Sequence, residues 1–135
     1  MHLAAEPPAG PLVELRGISK HFGSGQTRVD ALRAVSLDVL PGQVVGLVGP
    51  SGSGKSTLLN VIACILEPSQ GRMRLDGELV YEGGWRRKDL RRLRLDKVGF
   101  IFQFHNLLPF LTNLENIGRA ASRRLGGRCR PRPRH

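Results

Sequence analysis

The residues Gly49-Pro50-Ser51-Gly52-Ser53-Gly54-Lys55-Ser56-Thr57 have the types and spacing needed to grip a chain of phosphates. From Gly49 to Ser56 they fit G-x-x-x-x-G-K-[ST] without a gap. Such a loop works by curling successive backbone N–H groups around an anion, which side chains at the turns would obstruct. Gly49, Gly52 and Gly54 remove that obstruction and allow left-handed dihedrals. Lys55 brings a compact positive charge to the β- and γ-phosphates, and the Ser56 hydroxyl is a ligand for Mg²⁺. A helix starting at this point would turn its positive end toward the anion. The chemistry implied is binding of a nucleotide triphosphate with Mg²⁺. A glycine-rich turn that merely caps a helix is the plain alternative, and the flanking elements decide between the two.

Those elements have the right order. GQVVGLVG (42–49) is a continuous Val/Leu run between glycines, the pattern of a strand buried on both faces. STLLNVIACILEP (56–68) predicts an almost wholly apolar helix ending at Pro68. Upstream, LVELRGISK (12–20) and ALRAVSLDVL (31–40) alternate apolar and polar residues as half-buried strands do, with a turn-rich loop at 21–30. Downstream, GRMRLDGELVYEGG (71–84) predicts two short strands turning at Asp76-Gly77. WRRKDLRRLRLDK (85–97) predicts a short basic helix, VGFIFQ (98–103) a buried strand, and FHNLLPFLTNLENI (104–117) a loop. Residues 1–11 predict a flexible leader, residues 12–117 the folded domain and residues 118–135 a disordered Arg/Pro-rich tail.

The 135 residues suffice for one small domain, and 40% hydrophobic content can build a core. A formal charge of +10 suggests nucleic acid until it is divided along the chain. Residues 1–118 hold 14 Lys and Arg against 11 Asp and Glu, whereas residues 119–135 hold seven Arg and no acid. The charge belongs to the tail, so no specific nucleic-acid partner is expected. Cys64 and Cys129 make no disulfide framework or metal pairing, and Cys64, in an apolar run, reads as a small core residue. The N-terminus has neither the basic start nor the apolar stretch of a signal peptide. The apolar run 58–66 is far short of the ~20 residues that span a bilayer.

A phosphate loop alone leaves kinases, GTPases and transport ATPases open. The wider stretch GPSGSGKSTLLNVIACILEPSQG, together with VGFIFQFHNLLPFLTNLEN, resembles the ATP-binding cassette (ABC) transporter family. The wording from Phe102 to Asn116 is similar to the lipoprotein-release and macrolide-export branch. The resemblance covers roughly residues 12–117 and implies an α/β P-loop NTPase fold. This would be the N-terminal part of an ABC nucleotide-binding domain, a small antiparallel β-subdomain plus a partial parallel sheet with the phosphate-loop helix. It implies ATP and Mg²⁺ as cofactors, with Gly49, Pro50, Ser51, Gly52, Ser53, Gly54, Lys55, Ser56 and Thr57 around the nucleotide. Gln103 matches the Q-loop glutamine that reaches Mg²⁺ and the attacking water, so Ser56 and Gln103 are the expected metal contacts. Phe22 stands where the family stacks an aromatic ring on adenine, although a plain core aromatic fits the position equally well. The implied partners are a transmembrane permease and a second copy of the domain. The implied location is the cytoplasmic face of a membrane, held there through the permease.

Two small departures mark the matched stretch: Cys64 occupies a place where the family often has Gly, and the segment Tyr81 to Lys88, with Trp85, is more individual. The family's LSGGQ-type signature, its apolar strand ending in Asp and a catalytic Glu, and its switch histidine find no match after Gln103. Leu125-Gly126-Gly127-Arg128 lacks the signature's serine, and neither His105 nor His135 fits the switch. After Ile117 the expected apolar helical text gives way to Arg, Pro and Gly, so a shifted reading frame or a broken gene end is the expected origin of the tail, with a genuine basic nucleic-acid-binding extension as the alternative. Weak Mg-ATP binding and negligible hydrolysis are therefore the expectation for these residues by themselves. The alternatives are a non-catalytic nucleotide-binding fragment or another P-loop kinase. The Val44–Val48 strand is expected to keep an unpaired side.

Overall fold

The computed structural model describes residues 10–101 and 108–118. The expected leader (1–9 of it), Phe102 to Leu107 with Gln103, and the tail beyond Gly118 lie outside the described residues. The chain divides into two compact units after Leu90.

The first unit is a four-stranded antiparallel sheet with one helix. Its strands are β1 (Val13–Phe22), β2 (Val29–Val39), β3 (Gln70–Leu75) and β4 (Glu78–Glu82), in the order β2-β1-β3-β4. Helix α1 spans Lys55–Ile62. The register shift between Leu15 and Ile18, at the left-handed Gly17, lets both be buried completely although they are three residues apart, and β3 and β4 add Met73, Leu75, Val80 and Tyr81. From α1 and its C-terminal turn come Leu58, Val61 and Cys64, and the Tyr81 hydroxyl donates to the Pro68 carbonyl at 2.8 Å. Among the described residues no polar or charged residue is buried. No helix among them is long and apolar enough to cross a membrane.

The β1–β2 pair is longer than sequence patterning suggests. It runs through the stretch expected to be a loop, with Phe22 opposite Val29 and a 3₁₀ turn at Gly25–Thr27 closing it. Its register shifts between Leu15 and Ile18 and again near Lys20, and serine side chains take up the backbone groups freed there. The Ser36 hydroxyl accepts from Gly17 N at 3.0 Å, and the Ser19 hydroxyl accepts from Ala34 N at 2.9 Å. The β3–β4 hairpin turns at Asp76-Gly77 as read, with φ of 52° and 75°, the two left-handed residues of a type I′ turn.

Helix α1 ends earlier than Pro68. The Cys64 amide donates to Val61 O and the Ile65 amide to Asn60 O, both at 2.9 Å, the bond pair of a Schellman ending. Cys64 occupies the left-handed position at φ 56° that glycine usually fills, which gives the family's preference for Gly there a physical cause. The Cys64 thiol is buried, as expected of a core residue.

The expected partial parallel sheet does not form among the described residues. Residues 42–49 and 98–101 join no ladder, and Val44, Val48 and Ile101 are 97%, 98% and 98% exposed. A parallel strand draws hydrogen bonds from neighbours and needs cover on both faces. No described strand flanks either segment, so their apolar runs have nothing to pair with.

Helix α2 (Leu90–Lys97) starts at the boundary of the second unit, five residues later than the expected 85–97 helix, and is closed by an Arg92–Asp96 pair at 3.1 Å. Within the first unit, Trp85 pairs with Tyr81 in an isolated antiparallel bridge, their rings edge-to-face at 5.6 Å. The predicted loop before Ile117 holds a helical turn at 113–118. Thr112 and Glu115 exchange bonds as a capping box, Thr112 N to Glu115 Oε2 at 2.8 Å and Glu115 N to Thr112 Oγ1 at 3.3 Å. Asn116 ties the turn to what precedes it, accepting from Leu108 N and donating to the carbonyls of Leu108, Leu111 and Thr112.

Candidate functional site

Lys55 opens α1 and folds back across the loop before it. Its Nζ donates to Gly49 O at 2.7 Å, Pro50 O at 2.6 Å and Ser53 Oγ at 3.0 Å. These three acceptors fix the ammonium at the loop's mouth. The loop keeps its curl through a Ser53 N to Pro50 O bond at 3.3 Å and left-handed φ of 80° at Gly52 and 89° at Gly54. The first helical bond runs from Leu58 N to Gly54 O, and Gly54 offers no side-chain cap. The leading amides of Lys55, Ser56 and Thr57 thus remain as donors at the positive end of the helix.

Glycine at position 54 also has a tertiary reason. A Cβ there would stand 2.5 Å from Ala31 O and 3.1 Å from Leu32 Cδ2, so only glycine lets the helix start against β2. At Gly49 a Cβ would meet Ser53 Oγ at 2.9 Å and push away one of the acceptors of Lys55.

Between the loop and β2 lies an open cleft of about 520 Å³, within the range of small-ligand sites. Ser51, Gly52, Gly54, Lys55, Ser56 and Thr57 form one wall, and Val29, Asp30 and Ala31 form the other. The second wall exists because β2 is an edge strand whose outer rim has no neighbour in the sheet. Arg28 Nε donates to Asp30 Oδ1 at 2.9 Å and holds the Asp30 carboxyl below the ordinary carboxylate value, against the opposing effect of partial desolvation.

The structure therefore gathers the expected residues from Ser51 to Thr57, apart from Ser53, in one wall. Gly49, Pro50 and Ser53 lie behind it as acceptors for Lys55. Phe22 is at the end of β1, 45% exposed, with Lys20 Nζ 5.2 Å from its ring centroid. It is not a core aromatic, and it stands opposite Val29 of the cleft wall. Gln103 lies outside the described residues. Sequence reading missed Val29, Asp30 and Ala31, because no local spacing signals a wall brought in by strand pairing. A cradle that a Cβ would fill, a helix start with free amides and a hydroxyl at Ser56 together suit a nucleotide's phosphates and their Mg²⁺.

The family model for ABC transporters matches residues 32–131. The macrolide export ATP-binding/permease protein MacB of Marinobacter nauticus is 46% identical over 107 residues, which is 79% of this chain and 16% of that protein. The lipoprotein-releasing system ATP-binding protein LolD of Geobacter metallireducens is 44% identical over 106 residues, 78% of this chain and 46% of that one. Among solved structures, the ATP-binding cassette MJ0796 in a dimeric post-hydrolysis state with ADP and Pi superposes with a TM-score of 0.76. It is 36% identical, over 87% of this chain and 50% of that one. The chain thus spans less than half the length of the curated relatives named here. Its antiparallel subdomain, phosphate loop and helix match the N-terminal part of an ATP-binding cassette, and the chain belongs to the ABC transporter family.

Proposed function

We propose that this chain holds Mg-ATP in the cleft between the β2 edge and the start of α1, as the phosphate-binding part of a transporter's ATP-binding subunit. The observation that carries the reading is the Lys55 ammonium fixed at the mouth of a loop whose helix amides are uncapped. Those amides take phosphate oxygens, and Lys55 reaches the β- and γ-phosphates by exchanging some of its bonds to Gly49 O, Pro50 O and Ser53 Oγ for them. Ser56, and Gln103 by family resemblance, contact Mg²⁺, which neutralises charge on the phosphates when bound. Among the described residues no group of three or more His, Cys, Asp or Glu could hold a metal, and Ser56 is the side chain there that would meet Mg²⁺ beside the phosphates. Phe22, exposed beside the cleft, offers a face for adenine.

Phosphoryl transfer to water also needs a carboxylate and charge stabilisation from several groups. The matches to MacB and LolD support a membrane permease as partner at the cytoplasmic face, and the dimeric relative supports pairing with a second copy. These 135 residues alone are expected to bind nucleotide and to turn it over negligibly.

Equilibrium dialysis with radiolabelled ATP tests the site. Lys55→Ala should weaken Mg-ATP binding about a hundredfold, the worth of one or two charge-assisted hydrogen bonds, with circular dichroism confirming that the variant is folded. Binding that does not depend on Lys55 refutes the assignment. Turnover near that of a complete ATPase refutes the view that further groups are needed.

A further inference from the structure

The face of the sheet that turns away from the core carries a concave site of its own. Between Ile18 and Phe22 both register shifts place the extra residue on β2, so β1 alternates regularly there. Ser19 and His21 therefore point away from the buried Ile18 and from Phe22. Gln70 of β3 is the cross-strand partner of Ser19, and Asp30 of β2 is that of His21, which sets all four side chains on one face. The irregular stretch of β2 between Asp30 and Val35 hollows this face into a cavity of about 180 Å³, with Arg28 and Arg33 also in its lining.

Basic groups converge here on a single acid. Arg28 Nε donates to Asp30 Oδ1 at 2.9 Å, and the Arg33 and His21 side chains act on the same carboxyl electrostatically. Two guanidiniums facing one carboxylate leave positive charge in excess. Lys20, on the other face, sends its ammonium toward the Phe22 ring instead. Most of the donors are also unspent. Arg28 uses only Nε on Asp30, which leaves its two terminal nitrogens. Among the described residues no hydrogen bond uses the Arg33 guanidinium, the His21 ring or the Gln70 side-chain amide. The Ser19 hydroxyl accepts from Ala34 N at 2.9 Å and keeps its own hydrogen to give. A network of ion pairs that served stability alone would spend its donors on acceptors within the fold.

We propose that this cavity is a second binding site, for a small phosphate-bearing anion held by Arg28, Arg33, His21, Ser19 and Gln70. A phosphate group presents oxygen acceptors in several directions, which suits donors spread over three strands, and guanidinium forks pair with it bidentately. The one carboxylate is already engaged by Arg28, and the two guanidiniums outweigh its charge. The site shares no residue with the phosphate loop, so it stands or falls separately from Mg-ATP binding.

The test is a titration of the whole chain with inorganic phosphate, followed through the histidine ring signals in ¹H–¹⁵N NMR. His21 is assigned by comparison with His21→Gln. Every chain also carries Lys55→Ala, which weakens phosphate binding at the loop, and circular dichroism confirms that each is folded. The His21 signals should shift saturably with a dissociation constant of about 1 mM or below, and sodium chloride at equal ionic strength should not reproduce the shift. Arg33→Ala should weaken this binding about tenfold, the worth of one charge-assisted hydrogen bond, and Arg33→Lys, which keeps the charge without the fork, should fall between the two. Glycerol 3-phosphate should compete with inorganic phosphate. Absence of a saturable shift up to about 10 mM phosphate overturns the proposal. So does a shift that chloride reproduces, which is screening, or one indifferent to Arg33→Ala, which places the anion elsewhere. Arg33-dependent sedimentation with phosphatidylcholine vesicles carrying phosphatidic acid would overturn the assignment to a small ligand, in favour of a lipid headgroup.

Discussion

The contact between Gly54 and the β2 edge can be weighed by comparing two glycines of one loop. Gly52 and Gly54 share a left-handed backbone, with φ of 80° and 89°. Alanine at either position costs about 1–2 kcal/mol for that conformation. A Cβ at Gly52 meets nothing within 4 Å, so Gly52→Ala carries the conformational cost alone. At Gly54 the same atom would stand 2.5 Å from Ala31 O, a backbone atom that cannot rotate away. Either the helix start lifts off β2 or the strand edge moves, adding about 1–3 kcal/mol of overpacking. Gly54→Ala should therefore melt lower than Gly52→Ala by about 4–8 °C for each added kcal/mol, read by thermal circular dichroism. Because Ala31 belongs to the cleft wall, Gly54→Ala should also lose Mg-ATP affinity beyond what its lower stability explains. Equal melting temperatures for the two variants would show that the loop does not rest on β2 in solution, and the two-walled cleft would fall with it.

Two further outcomes follow from the structure. Cys64→Ala keeps the left-handed strain and loses a buried sulfur, and should cost about 1 kcal/mol, whereas Cys64→Gly relieves the strain and should recover about 1 kcal/mol relative to alanine in urea titrations. Asp38 and Asp30 are both held below the ordinary carboxylate value of 3.8, chiefly by hydrogen bonds from Arg16 and Arg28. With the folded value depressed, their contribution is full above the unfolded value of 3.8 and is lost as pH falls from there through the folded value. Asp38→Asn should flatten the decline in melting temperature below pH 4, and an unchanged decline would assign the acid sensitivity elsewhere.

Much of this site was legible because phosphate binding is local chemistry. Glycines at fixed offsets, a lysine and a hydroxyl must be neighbours in sequence to share one turn, and they read directly from Gly49 to Ser56. The Asp76-Gly77 hairpin was legible for the same reason. What escaped was whatever pairing brings together. Asp30 enters the cleft because β2 lies at the sheet edge, and Phe22 stands opposite Val29 through cross-strand register. The end of α1 escaped differently, since Pro68 outweighed a Schellman ending whose left-handed residue is a cysteine. Thr112 and Glu115 did carry a readable capping signal, the T-x-x-E spacing, in a stretch taken for a loop. The Val-rich run 42–49 misled because apolar continuity reports what a segment needs, and no described strand supplies it.

The two walls of the cleft differ in how freely mutation can alter them. The loop wall is bound by geometry at nearly every position, so exchanges there break the turn. The β2 wall is made of surface side chains at Val29 and Asp30, where substitutions cost little stability. Over evolutionary time the strand wall can thus drift in sequence while the loop wall stays fixed. The motif that makes such a site easy to recognise is the part that says least about which nucleotide it favours.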